Sequence, residues 1–163
     1  MHISELETPA VIVDLDVMDR NLSRMADYCR RHELLLRPHT KTHKIPELAK
    51  RQIASGATGI TVAKIGEAAV MLDAGITDIL IAYPIVGQEK AKRLAALAER
   101  AKISVSLDSD AAAIGISEAV SRHGSKVGIL IELNVGFNRC GVSNENEVVQ
   151  EGYFMAEFGF ELA

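Results

Sequence analysis

The sequence predicts an incomplete parallel (β/α) barrel of the TIM type, with about five to six βα units. Short apolar runs alternate with helical patterns, and the runs start near residues 34, 59, 79, 103 and 127. A repeat of about 20–25 residues is the length of one βα unit. The runs are continuously apolar, which is typical of parallel strands that are covered on both faces. Basic residues follow the first of these runs, at the place where a barrel keeps its active site.

The first third of the chain predicts two strands and two helices. Residues 9–15 (PAVIVDL) are rich in residues that favour strands, and Asp16 is a suitable N-cap for the helix that follows. Residues 34–37 predict the second strand. Pro46 stands where the first turn of a helix tolerates proline, and Gly56 is expected to end that helix.

The remaining strands and helices are expected to alternate to the end of the chain. The predicted strands are residues 59–63, 78–82, 103–107 and 126–133, of which the last is the longest. The predicted helices are residues 64–74, 87–101 and 109–122. Residues 151–163 predict a short helix and the start of a further strand.

Parallel strands of this kind fit either a doubly wound open sheet or a barrel. A dinucleotide-binding sheet has a glycine-rich turn after its first strand, whereas residues 14–18 contain no glycine, and no P-loop pattern occurs. The tandem units and the basic strand end therefore favour the barrel. A complete barrel needs eight units and typically about 250 residues, so the 163 residues are expected to hold an incomplete one.

Composition and charge exclude several classes of function. A chain of 163 residues with 48% hydrophobic and 25% charged residues is typical of one folded domain. A net charge of −4 gives no general attraction to nucleic acid or to an anionic membrane, so a local basic cluster favours a small anionic ligand. The sequence has no signal peptide and no long apolar span, and Cys29 and Cys140 are its only cysteines. These features predict a cytoplasmic location.

The basic cluster is residues 36–44 (LRPHTKTHK), and Lys41 is its candidate amine nucleophile. A lysine at a strand end that is flanked by the cations Arg37 and Lys44 is expected to have a lowered pKa. Its neutral amine then attacks a carbonyl, which suits Schiff-base chemistry. The alternative is that Lys41 and Lys44 are solvated loop residues.

The cluster also contains His39 and His43, which are four residues apart. That spacing binds a metal convincingly on a helix, whereas here it spans a junction between a strand and a loop. We therefore expect no metal at this place. The histidines are expected to pack beside a cofactor or to form hydrogen bonds near the strand end.

A second candidate site is residues 132–141 (ELNVGFNRCG), which follow the most apolar strand. Gly136 and Gly141 bracket Arg139, whose guanidinium can donate a fork of hydrogen bonds to a phenolate or a carboxylate. The alternative is an arginine in a surface loop. Cys140 is expected to pack in apolar surroundings.

Three motifs together resemble the alanine racemase-type (fold type III) pyridoxal-phosphate proteins. They are residues 8–21 (TPAVIVDLDVMDRN), 36–44 (LRPHTKTHK) and 136–142 (GFNRCGV). The RPHTKTHK string is similar to the D-threonine aldolase and D-serine dehydratase branch, since alanine racemases proper carry a tyrosine-containing string after the lysine. The resemblance covers about residues 8–142.

The resemblance implies that Lys41 forms a Schiff base with pyridoxal 5′-phosphate. It also implies that Arg139 contacts the phenolic oxygen of the cofactor and that His39 lies close to the ring. The activity that it implies is a lyase acting on D-amino acids. The reaction is then either retro-aldol cleavage of a D-3-hydroxy amino acid to glycine and an aldehyde, or dehydration of D-serine. A homodimer is expected for the full-length family.

The chain also departs from the family's pattern. Family members usually read Asp-Thr-Gly before the arginine loop, whereas this chain reads Asn134-Val135-Gly136. The resemblance implies that residues 1–163 are an N-terminal cofactor-binding barrel domain that is truncated, without the C-terminal β-domain. A divalent metal is expected in the family, but its ligands are not expected in this chain. The alternatives are a non-catalytic carrier of pyridoxal phosphate and an inactive truncated product.

Overall fold

The computed structural model describes residues 2–157 and 160–162, in which strands and helices alternate from residue 60 onward. The helices are α1 (Leu15–Arg31), α2 (Pro46–Ala54), α3 (Ile65–Asp73), α4 (Gln88–Ala98), α5 (Asp110–His123) and α6 (Glu145–Glu157). The strands are β1 (Ile60–Val62), β2 (Asp78–Ile81), β3 (Lys102–Leu107), β4 (Gly128–Ile131) and β5 (Glu161–Leu162). Among these helices, none is both long and apolar enough to cross a membrane.

The described strands form one parallel sheet in the order β1-β2-β3-β4-β5. Ile60 of β1 pairs with Ile79 of β2, which pairs in turn with Ile103 of β3. Neighbours in the sheet are also consecutive in sequence, so the strand order never reverses as it does in a doubly wound sheet. A helix follows each of β1 to β4. This single winding is that of a partial α/β barrel and confirms the predicted fold class.

The two faces of the sheet carry different side chains because successive residues of a strand point to opposite sides. One face packs on the helices and forms the core with Ile60, Val62, Ile79, Ile81, Ile103, Val105, Leu107 and Ile129. The residues between them are Thr61, Leu80, Ser104, Ser106 and Leu130. Three of these are polar and still buried. The prediction of continuously apolar strands is therefore correct for the helix-facing side only.

Residues 9–14 form no strand, and the prediction of a strand there is wrong. Their side chains are exposed, and that of Val11 is 100% exposed. Residues of this type favour a strand only where a neighbouring strand offers a ladder and side chains to pack against. No described strand pairs with this segment.

Two boundaries also differ from the prediction. The N-cap of α1 is Asp14 and not Asp16, because Oδ1 of Asp14 accepts the N–H of Val17 at 3.0 Å. The predicted strand 126–133 is too long, since β4 covers only four residues and β3, with six, is the longest described strand.

The predicted strand 34–37 is an extended segment beside β1 and not a regular strand. The N–H groups of Thr58 and Thr61 donate to the carbonyls of Leu36 and Pro38 at 2.9 and 2.8 Å. Pro38 has no N–H with which to continue the ladder. The segment nevertheless follows the direction of the strands, and it leads the chain to their carboxyl ends.

Candidate active site

Polar side chains gather at the edge of the sheet where the parallel strands have their carboxyl ends. The turn that contains Lys41 lies beside the end of β1, and Tyr83 follows β2. Asp108 follows β3 directly, and Glu132 follows β4. Because parallel barrels keep their catalytic groups at this edge, we take it as the candidate active site.

Lys41 lies in a 3₁₀ turn, Thr40–Thr42, directly after a bridge between His39 and Thr61 of β1. Thr40 is buried, and its Oγ1 donates to the carbonyl of Thr61 at 3.1 Å. Lys41 itself is exposed, and its ammonium makes no ion pair within residues 2–157 and 160–162. The backbone beneath the lysine is therefore anchored to the sheet while the amine is free to meet a ligand.

Lys44 differs from Lys41 because a carboxylate engages it. Its Nζ lies 3.1 Å from Oε1 of Glu67, while Oε2 of Glu67 accepts the N–H of Ala63 at 2.8 Å. Burial acts to raise the pKa of Glu67, but the hydrogen bonds from Ala63 and Lys44 outweigh it and lower the pKa below its ordinary value. Sequence reasoning missed Glu67. The available signal is its place in the first turn of α3, which starts at this edge.

His39 is half-buried beside Lys41, and its Nδ1 accepts the backbone N–H of Lys41 at 3.3 Å. Burial and then the charge of Lys41 lower the pKa of His39 below its ordinary value, against opposing effects of Glu67 and of a hydrogen bond with the Thr61 backbone. The imidazole is therefore neutral at physiological pH. Nε2 of His43 is buried and has no hydrogen-bond partner in the described part of the chain. In that part, no three His, Cys, Asp or Glu side chains are grouped to hold a metal ion.

Arg37 does not flank Lys41, and that prediction is wrong. Its Nη1 lies 2.6 Å from Oδ1 of Asp78, the first residue of β2. Asp78 also pairs with Lys102, the first residue of β3, at 3.4 Å. Arg37 therefore lies at the amino ends of the strands. Since each extended residue advances about 3.3 Å, Lys41 reaches the opposite edge.

The loop 134–141 is organised by Asn134. Its Oδ1 accepts the N–H groups of Gly136 and Asn138 at 2.9 and 3.1 Å, and its Nδ2 donates to Oδ1 of Asn138 at 2.9 Å. An aspartate could accept both N–H groups, but it has no N–H to donate to Asn138. Asparagine at this position therefore gives the loop one hydrogen bond more than an aspartate would give.

Gly141 closes this loop against β3 and β4. Its N–H donates to Oδ2 of Asp108 at 3.0 Å. On either side of it, the Val142 N–H donates to the Glu132 carbonyl and the Asn134 N–H to the Val142 carbonyl, both at 2.8 Å. Gly141 has φ +102°, and a Cβ on it would lie 2.6 Å from the nitrogen of Asn134. A larger residue cannot occupy this position unless the loop moves.

The closed loop places Arg139 at the carboxyl edge of the sheet. Arg139 is exposed, and its Nη2 lies 3.8 Å from Oε1 of Glu132. Arg139 also interacts electrostatically with Tyr83. The prediction that Cys140 packs in apolar surroundings is wrong, because its Sγ donates to Oε1 of Glu132 at 2.9 Å. That hydrogen bond raises the pKa of the Cys140 thiol above its ordinary value, although Arg139 acts in the opposite direction.

Lys41 and Arg139 share this edge but lie at its two sides. The segment before Lys41 pairs with β1, and β4 lies three strands further along the sheet. The segment and β4 are therefore separated by four strand spacings of about 4.8 Å, which correspond to roughly 19 Å along the edge. Curvature of the sheet towards a barrel shortens this distance across the mouth.

An acidic cleft of about 500 Å³ lies beside Gly141. Four of its lining residues are Asp108, Asp110, Glu147 and Glu151. Burial and then the neighbouring carboxylates raise the pKa of Glu151 above its ordinary value. Its Oε2 is buried without a hydrogen-bond partner in the described part of the chain.

Comparison with known proteins shows which family the chain belongs to. The family model described as "Alanine racemase, N-terminal domain" matches residues 13–158, which is most of the chain. The chain belongs to this family. The resemblance that the three motifs predict is therefore confirmed.

Within the alanine racemase N-terminal domain family, the chain is similar to enzymes named for D-amino acids. It is 41% identical over 143 residues to a D-threonine aldolase from Arthrobacter sp. The matched region covers 88% of this chain and 38% of that protein. It is also 36% identical over 141 residues to a D-threo-3-hydroxyaspartate dehydratase from Delftia sp.. That matched region covers 86% of this chain and 37% of the dehydratase.

A solved structure of the same family confirms the fold. The crystal structure of a D-threonine aldolase from Filomicrobium marinum matches with a TM-score of 0.93 and 43% identity, over 95% of this chain and 42% of that one. The chain thus spans about two fifths of the length of each of these three relatives.

Proposed function

We propose that the chain is the N-terminal, cofactor-binding barrel domain of a pyridoxal 5′-phosphate-dependent lyase that acts on D-amino acids. Lys41 is the residue that forms the Schiff base. The observation that carries this proposal is an exposed amine that forms no ion pair with the described residues, on a turn that is anchored to β1 at the carboxyl edge of the sheet. The names of the aldolase and dehydratase relatives support it.

The donor groups at this edge fit pyridoxal phosphate chemically. Its aldehyde needs an amine, which Lys41 offers, and its phenolic oxygen needs a cation, which Arg139 offers. His39 is neutral and half-buried next to Lys41, so it can lie against an aromatic ring without placing a second charge there. When bound, the cofactor supplies an electron sink for negative charge at the α-carbon of the substrate.

The chain's own residues hold and orient these groups. Thr40 fixes the turn beneath Lys41 by its bond to the Thr61 carbonyl. Glu132 lies beside Arg139, with Oε1 3.8 Å from Nη2 of the guanidinium. Arg139 keeps its charge throughout and can donate two parallel hydrogen bonds to an oxygen anion.

The proposed substrates are D-amino acids that carry a hydroxyl group on the 3-carbon. Retro-aldol cleavage to glycine and an aldehyde is the first candidate reaction, because the aldolases are 41% and 43% identical to this chain. Dehydration is the second candidate, and it is favoured by the dehydratase at 36% identity. We place the ligands of a divalent metal outside this chain, and we propose a homodimer and a cytoplasmic location for the full-length protein.

Borohydride trapping tests the proposal. The Nζ of Lys41 would condense with the aldehyde of pyridoxal phosphate to form a C=N bond, with release of one water. Borohydride then delivers a hydride to that carbon and the nitrogen takes up a proton, which leaves a stable secondary amine for peptide mapping. We expect the label on Lys41, its loss in Lys41→Ala, and its retention in Lys90→Ala, which changes an exposed lysine of α4.

A label that is confined to other lysines would refute the assignment of Lys41. Addition of D-threonine to the loaded chain then separates the candidate functions. Release of glycine and an aldehyde supports the aldolase, and release of a keto acid supports the dehydratase. Spectral binding without turnover supports a carrier.

A further inference from the structure

Two lysines of the same turn face solvent, yet the proposed function requires only one of them to react. Lys41 and Lys44 are both exposed, and the side chain of Lys44 retains 57% of its accessible surface. Accessibility alone therefore does not select Lys41. A second feature of the fold has to distinguish the two amines.

That feature is the carboxylate of Glu67. It is 9% exposed, and it bridges the Lys44 ammonium at 3.1 Å and the Ala63 N–H at 2.8 Å. Lys64 and His39 are also within electrostatic reach of Glu67. Among the described residues, however, only Lys44 brings a charged nitrogen within 4 Å of it.

The backbone directs Lys44 towards this carboxylate. Lys44 has φ +56°, in the left-handed region that residues other than glycine seldom adopt. Its N–H donates to the carbonyl of Thr40 at 2.8 Å, which closes the turn around Lys41. The conformation that exposes Lys41 is therefore the same one that carries Lys44 to Glu67.

We propose that Glu67 determines which lysine of the turn reacts, because it holds the ammonium of Lys44 and leaves the amine of Lys41 available. Attack on a carbonyl requires a neutral amine. Lys44 would have to give up both its proton and its ion pair, and a buried carboxylate would then lose one of its two partners. Glu67 is thus a positioning residue that acts through Lys44.

The effect on Lys44 does not depend on any cofactor, so it can be measured first without one. Competitive acetylation with a trace of acetic anhydride reports the relative reactivity of each lysine in the folded chain. In Glu67→Gln the amide oxygen can still accept the Ala63 N–H, but the charge is lost. We expect the reactivity of Lys44 relative to Lys41 to rise about two- to fivefold, as for the loss of a partly exposed ion pair.

Glu47→Gln is the matched control, because Glu47 is an exposed residue of the neighbouring helix α2. The ratio of the two reactivities should stay as in the parent chain. An unchanged ratio in Glu67→Gln, or an equal rise in both variants, would overturn the inference. If Glu67→Gln does not fold, the parent chain in rising salt replaces it, since salt weakens this half-exposed pair and should raise the reactivity of Lys44.

The second readout rests on the proposed function and uses pyridoxal phosphate with borohydride. We expect label on Lys41 alone in the parent chain, on Lys41 and Lys44 in Glu67→Gln, and on Lys41 alone in Glu67→Gln/Lys44→Gln. Loss of Lys41 label in the double variant would show that Glu67 supports the turn structurally, and it would overturn the proposed selection. Absence of Lys41 label in the parent chain contradicts the proposed function, while the acetylation result still tests Glu67.

Discussion

Replacing Gly141 by alanine should open the loop that carries Arg139. The left-handed conformation of Gly141, at φ +102°, costs an alanine about 1–2 kcal/mol. The new Cβ would lie 2.6 Å from the nitrogen of Asn134 and 2.9 Å from the carbonyl oxygen of Glu132, which are backbone atoms that cannot rotate away. The loop must therefore shift as a whole.

The shift breaks the hydrogen bonds that close the loop, namely the one from Gly141 to Asp108 and the pair that joins Val142 to Glu132 and Asn134. Each such bond contributes about 0.5–1.5 kcal/mol net. Together with the backbone cost, the closed loop should lose roughly 3–6 kcal/mol relative to the open one. The change in global stability is smaller if the loop opens without unfolding the sheet.

Gly136→Ala is the matched control. Gly136 has φ +120°, but no heavy atom of the described residues beyond its chain neighbours lies within 4 Å of its Cβ position, so only the backbone cost applies. Hydrogen exchange of the Asn134 and Val142 amides measures the opening free energy in both variants. We expect protection to fall much further in Gly141→Ala, and equal losses in the two variants would refute the reasoning.

Three further predictions concern the charges around the site. Glu132→Gln should lower the pH midpoint for alkylation of Cys140, because the carboxylate raises the pKa of that thiol; a midpoint that stays or rises would contradict this. Glu151→Gln should raise Tm at neutral pH, with the gain disappearing towards acid pH, and a gain independent of pH would contradict this. The folded pKa of Glu151 is raised, so its contribution to stability is complete below its unfolded pKa and is lost as the pH rises through the folded value. Arg139→Ala should weaken binding of pyridoxal phosphate in a spectral titration but leave the Lys41 adduct in place, while unchanged affinity would remove Arg139 from the site.

The sequence predicts a strand correctly where an apolar run also has neighbouring strands to pair with in the fold. The strands β1 to β3 and the helices after them lie within a few residues of their predicted bounds, since each apolar run has a neighbour on both sides. The runs at 9–15 and 34–37 carry the same local signal but form no regular strand. The first has no described strand beside it, and the second meets Pro38, which cannot donate to a ladder.

The candidate site is predictable in position but not in its contacts. The motifs identify the turn of Lys41 and the loop of Arg139, because residues next to each other in sequence build them. Glu67 lies in another βα unit, and only the fold brings it to Lys44. Arg37 shows the opposite error, because it is close to Lys41 in sequence but pairs with Asp78 at the amino ends of the strands.

The most direct test of the central claim is a crystal structure of the chain after reaction with pyridoxal phosphate and borohydride. We expect continuous density from Nζ of Lys41 to the cofactor, with the phenolic oxygen about 3 Å from the guanidinium of Arg139. Density that joins the cofactor to a different lysine, or a phenolic oxygen far from Arg139, would contradict the account.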